Sequence, residues 1–199
     1  LKGIIVTETK PLLFTPSARD RILVALNWDE RSDKVTIKDK IRGTNQQHDL
    51  DIACFVFNES GEYIDFVGAM AQDAMDSTGC IYHSGDDSTG EGISDDETIS
   101  VELGGLPFET TDLFFVVEVM SDHSFSEVSN PSIRIADGMT DKNLHESHIN
   151  TGDASKKAFL AARISRNDRS PTGWNLHIIE EYPDLSQVSD WGSYLSRYL

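Results

Sequence analysis

Between Arg42 and Arg134 the chain has no lysine or arginine, although it carries 17 of them in its 199 residues. The same interval holds 19 of the 34 aspartates and glutamates. Solvated surfaces normally mix both signs, so an uncompensated acidic stretch of this length implies something positive supplied from outside. A net charge of −17 leaves no basic stripe for a phosphate backbone, which excludes nucleic acid as a partner. Cysteine is scarce as well. Cys54 and Cys80 are too few for a disulfide framework and lack a zinc-like spacing, so both read as buried thiols, with a disulfide as the lesser alternative. No apolar run nears the length of a transmembrane helix, and no charged and apolar leader opens the chain. A cytoplasmic protein is expected, and the start at Leu1 suggests a trimmed or excised chain. Gly-x-Ser-x-Gly, P-loop and dinucleotide fingerprints are all missing, so nothing points to an enzyme.

What is present suits one folded domain with 38% hydrophobic residues. Residues 1–20 predict an edge strand, Gly3 to Thr7, and a loop containing Pro11 and Pro16. Residues 21–182 predict the domain proper, with strands at Ile22–Trp28, Leu50–Phe57, Tyr63–Val67, Thr98–Leu103, Leu113–Met120, Ser132–Ala136, Ala158–Ser165 and Trp174–Glu180. Ala158–Ser165 also reads as a short helix, because Ala and Leu dominate it. Asn58 to Gly61 marks a hairpin turn. Residues 183–199 predict a helical tail after Asp184 as N-cap, with Leu185, Val188, Trp191, Leu195 and Tyr198 near helical spacing. About eight short strands without long intervening helices predict an all-β, antiparallel β-sandwich of two packed sheets with a short C-terminal helix.

The chemistry lies in two separated stretches. In Asp49-Leu50-Asp51-Ile52, alternation puts two carboxylates on one face of a strand, where they repel unless a cation bridges them. His83 through Glu97 carries six acids among three glycines and runs straight into a strand. Calcium takes 6 to 8 oxygens, including carbonyls that glycines help turn inward, and this mixture suits it better than the rigid octahedron of magnesium. Zinc is disfavoured, since His48 and His83 are the only imidazoles near and no thiolate pair joins them. The acids do not follow EF-hand spacing. A solvated acidic turn is the bland alternative, against which the Asp49/Asp51 pair and the missing cations weigh.

The order Asn27-Trp28-Asp29, Asp49-Leu50-Asp51, His83 through Glu97, then Val128-Ser129-Asn130 before Ile133-Arg134-Ile135 resembles the TerD family of tellurium-resistance and calcium-binding stress proteins. The resemblance spans roughly residues 20–180 and is most specific in the central loop. It implies a β-sandwich holding one or two Ca²⁺ ions. On matching positions it implies Asp49, Asp51, Asp86, Asp95, Asp96 and Glu97 as ligands, with Asp29, Asp87 and Glu91 in a secondary set. Ile93-Ser94 stands where the family has Asp-Gly, and Asp87 where it has Asn, so one of two sites is expected to be weakened.

Trp28 is expected in the core, Ser129-Asn130-Pro131 as a turn into a strand, and His145 and His148 as surface residues. The first expectation for function is a non-catalytic calcium-binding stress protein with a protein partner. The alternatives are a C2-like module making peripheral, calcium-dependent membrane contact, a metal-dependent hydrolase, or a subunit of a larger assembly. The membrane alternative needs apolar or basic residues beside the loop, and the sequence offers only Ile93.

Overall fold

Short β-branched and aromatic runs, bounded by Gly, Asn and Pro, fold here as strands. The computed structural model describes residues 6–30, 47–90, 95–150 and 152–199, and they contain eleven strands. In chain order these are β1 (Glu8–Pro11), β2 (Arg21–Asp29), β3 (Leu50–Asn58), β4 (Tyr63–Val67), β5 (Ile81–His83) and β6 (Glu97–Glu102). β7 (Thr110–Val119), β8 (Ser129–Asp137), β9 (Asn143–His148), β10 (Ala158–Arg166) and β11 (Trp174–Glu181) follow. One sheet has the order β1-β11-β10-β7-β3-β4 and the other β5-β6-β2-β8-β9, with every pairing antiparallel.

Alternation along the strands sends one set of side chains between the sheets. Ile22, Val24 and Leu26 of β2 meet Leu50, Ile52 and Cys54 of β3 and Ile133 and Ile135 of β8 in the main core. A second cluster forms on the outer face of the six-stranded sheet, where Phe55, Phe57, Phe114 and Ile179 are covered by Tyr194, Leu195 and Tyr198. The cover is the tail: helix α1 (Trp191–Leu195) and the 3₁₀ turn after it. Trp191 Nε1 donates to Glu118 (3.0 Å), and the Tyr194 and Tyr198 hydroxyls both donate to Glu181.

The β-sandwich is as expected, with differences of detail. The N-terminal edge strand is Glu8–Pro11; of the expected Gly3–Thr7 run, residues 3–5 lie outside the described residues. β5 and β9 carry no sequence signal, one because it has three residues and the other because it is a polar edge strand. Ala158–Arg166 is a strand because both its edges are filled, by β7 and β11, which outweighs the helical propensity of alanine. Asp184 caps only a 3₁₀ turn, and the helix is capped by Asp190, which accepts from Ser193 N–H at 2.7 Å. Both cysteines are free; Cys54 is buried but Cys80 is only half-buried, a correction to the expectation for it.

Candidate metal centre

β4 ends at Val67 and pairs only with the second half of β3, so the first half of β3 has an open edge. Two groups fill it. The Ile52 N–H donates to Glu97 Oε2 (3.0 Å), a side chain with no exposed surface at the start of β6 in the opposite sheet. Glu97 Oε1 accepts from Asp87 N–H (3.2 Å), which ties down the β5–β6 loop. Gly85 N–H donates to His83 Nδ1 (3.0 Å), leaving the ring proton on Nε2, which lies 3.3 Å from Glu97 Oε2 without hydrogen-bond alignment. One buried carboxylate thus joins the two sheets and the acidic loop.

In front of it, Asp49, Asp51 and Asp86 converge, each offering an oxygen within 4.8 Å of the others. The Asp49 backbone is held by its carbonyl, which accepts from Met120 N–H (2.8 Å), while its side-chain Oδ1 is buried with no hydrogen-bond donor. Burial, then the charges of Asp86, Glu97 and Asp87, raise its pKa above the usual carboxylate range. Asp51 is pushed up to about 7, first by burial, then by Glu97, Asp49 and Asp86. No described residue hydrogen-bonds its carboxylate. Such an arrangement resists ionisation.

Hard carboxylate oxygens without thiolates disfavour zinc and copper. His48 has a third imidazole beside it, His123, with ring centroids 4.8 Å apart. Sequence spacing could not bring that pair together.

A second acidic group lies across Trp28. Asp96 Oδ2 accepts from Trp28 N–H (2.8 Å), and burial, with Asp87, Asp95 and Asp29 nearby, raises its pKa. Asp29 accepts from Asn130 (2.6 Å), and Asp87 Oδ1 accepts from the N–H groups of Thr89 and Gly90. Gly90 has φ +66°, and a Cβ there would stand 2.6 Å from Trp28 Nε1, so the loop needs glycine to lie on the indole. Trp28 is in the core, as expected, and its Nε1 donates to His48 O.

Asp95 is not brought to the trio. Burial alone would raise its pKa, but Arg134 (2.6 and 3.1 Å) and Asn27 (2.9 Å) hold it low. Arg134, Arg163 and the Arg19/Arg21 pair neutralise Asp95, Asp112 and Glu102 respectively, and among the described residues no lysine or arginine pairs with Asp49, Asp51 or Asp86. Glu91, with Ile93 and Ser94, lies outside the described residues.

A cleft of about 660 Å³ opens over the trio, lined by Asp49, Asp51 and Asp86 together with Ala69, Met70 and Met120. Sequence reasoning missed these apolar residues, because they come from two loops distant in the chain.

Comparison with known proteins gives a consistent picture. The TerD domain matches residues 12–182. The chain is 31% identical over 167 residues to tellurium resistance protein TerZ of Serratia marcescens, covering 83% of each. Against stress response protein SCP2 of Bacillus subtilis it is 25% identical over 185 residues, covering 90% of this chain and 89% of that one. The crystal structure of a homologue of telluride resistance protein (TerD) from Streptomyces coelicolor A3(2) superimposes with a TM-score of 0.65 at 22% identity, over 90% of this chain and 96% of that one, a likeness of fold.

Proposed function

The chain belongs to the TerD family, and from that premise we propose that it is a calcium-binding, non-catalytic stress protein of the tellurium-resistance type. Asp49, Asp51 and Asp86 would hold the ion at the open edge of β3, with Glu97 and His83 positioning them. The observation that carries this reading is three carboxylates with oxygens within 4.8 Å of one another, Asp49 among them with a buried oxygen that lacks a donor, and none of the three paired with a described arginine. The ion supplies charge neutralisation and ties the β5–β6 loop to β3.

The test is calorimetric titration of metal-free protein with Ca²⁺ and with Mg²⁺, using the wild type and an Asp49→Asn/Asp51→Asn double variant. Saturable binding that prefers calcium and vanishes in the variant is the expected result. Equal binding by the variant would sink the assignment of the trio.

A further inference from the structure

β9 is the edge strand at the far side of the five-stranded sheet from β5 and the acidic loop, and its inward side is polar. The buried Ser147 hydroxyl meets His145 Nε2 at 2.8 Å and donates to Glu180 Oε1 of β11 at 2.5 Å. The same imidazole nitrogen stands 3.5 Å from that carboxylate oxygen, and the His145 side chain, expected at the surface, is only 18% exposed. Imidazole, hydroxyl and carboxylate thus link the two sheets. The carboxylate meets the hydroxyl and not the far imidazole nitrogen, so this is no relay for a serine nucleophile.

Glu180 reaches this place in a strained backbone. Its φ is +54°, a left-handed conformation that residues with a long side chain avoid. It lies where β11 shifts register against β10, with Leu160 pairing to Glu181 but Ala162 to Ile178. Ile179 and Glu181 serve the outer face under the tail, while Glu180 turns to the other sheet. Bulges re-aim side chains in this way and are eased by glycine, so a glutamate held here points to a use for its carboxylate.

The cluster responds to one proton. Because the Ser147 hydrogen goes to Glu180, Nε2 must carry the hydrogen that reaches Ser147, and an uncharged imidazole completes the chain. Charge on the ring is opposed first by burial and then by Lys10 of β1, and favoured by Glu180 and Glu8; the balance holds its pKa below the ordinary value of about 6.5. Arg134 and Glu146 are engaged elsewhere, with Asp95 and Asn143.

We infer that His145, Ser147 and Glu180 form a proton-operated latch between the two sheets, shut while the imidazole is uncharged and released when it takes up a proton. Among the described strands β9 pairs only with β8, so release frees an edge strand. The folded state binds this proton less readily than the opened state. Closure is therefore complete above about pH 6.5 and is lost as the pH falls, by up to about tenfold in the opening equilibrium per unit until the folded pKa is passed.

The experiment is amide hydrogen exchange of the full chain between about pH 7.5 and pH 5, expressed as protection factors, with an NMR titration of the His145 ring. Protection of the β9 amides is expected to fall on acidification in step with that titration, while protection of β7 does not fall. His145→Gln keeps a donor for Ser147 without a titrating ring, so β9 protection should become independent of pH. That variant also separates His145 from His177, which burial likewise holds below its ordinary pKa on the outer face of β11. Lys10→Met removes the opposing cation and should move both the ring titration and the acid loss. β9 protection that holds through the ring titration overturns the inference, as does an acid loss that persists in His145→Gln. Should His145→Gln disturb the fold, Lys10→Met decides, since an acid loss that stays put while the ring titration moves refutes the latch.

Discussion

Replacing Asp51 by asparagine should make the metal-free protein more stable, although it removes a carboxylate from the proposed site. Asparagine keeps the shape and discards the charge. Like charges no more than 4.8 Å apart repel by at least about 1 kcal/mol in water and at least about 3.5 kcal/mol at an effective dielectric of 20. Asp51 is partly exposed, so after discounting for solvent the relief against its acidic neighbours comes to roughly 2 kcal/mol. Its pKa of about 7 sets the pH window. The folded state holds a proton that the unfolded chain has lost above about pH 4, so wild-type stability from this group is full below about pH 4 and declines as pH rises through 7. The variant lacks that decline. Thermal melts in chelator should place Asp51→Asn about 5 °C above wild type at pH 8 and level with it at pH 4. Adding calcium should raise the wild-type melt and leave the variant nearly unmoved. A variant less stable than wild type at pH 8 in chelator would refute the crowding on which the reasoning rests.

Other residues give independent checks. Arg134→Met strands the half-buried Asp95 carboxylate and should cost about 2–3 kcal/mol in urea unfolding; a cost under about 0.5 kcal/mol would show the pair to be dispensable. Gly90→Ala combines a left-handed backbone with contact on Trp28, so it should lose about 1–3 kcal/mol and alter tryptophan fluorescence, and an unchanged spectrum would contradict the packing. Leu195→Ala hollows the cover over Phe55 and Phe114 and should cost about 2–4 kcal/mol with increased binding of an apolar dye, whereas wild-type behaviour would mean that the tail is not seated there.

The two-sheet fold was legible because β2, β3 and β7 carry apolar residues that only a pleated, buried strand accommodates. β5 and β9 were not legible, since pairing with β6 and β8 makes them strands while their own residues show no pattern. Asp49 and Asp51 could be singled out together because they are two apart on one strand. Their union with Asp86, the diversion of Asp95 to Arg134 and the methionine lining depend on which loops the topology gathers at one end, and local spacing holds no trace of that. The stretch without cations is partly compensated from beyond its ends: Asp95, Glu102 and Asp112 find arginines from outside the interval, while no described lysine or arginine pairs with Asp49, Asp51 or Asp86.

The handover at β3, where Glu97 takes the Ile52 N–H, makes a single amide a reporter for the whole end of the molecule. That proton is guarded by a side chain rooted in the other sheet, so it can meet solvent only when the two sheets part at this corner. Its exchange rate then reads out the seam between them, and any ligand that seats the acidic loop should slow one signal far more than its neighbours along the strand.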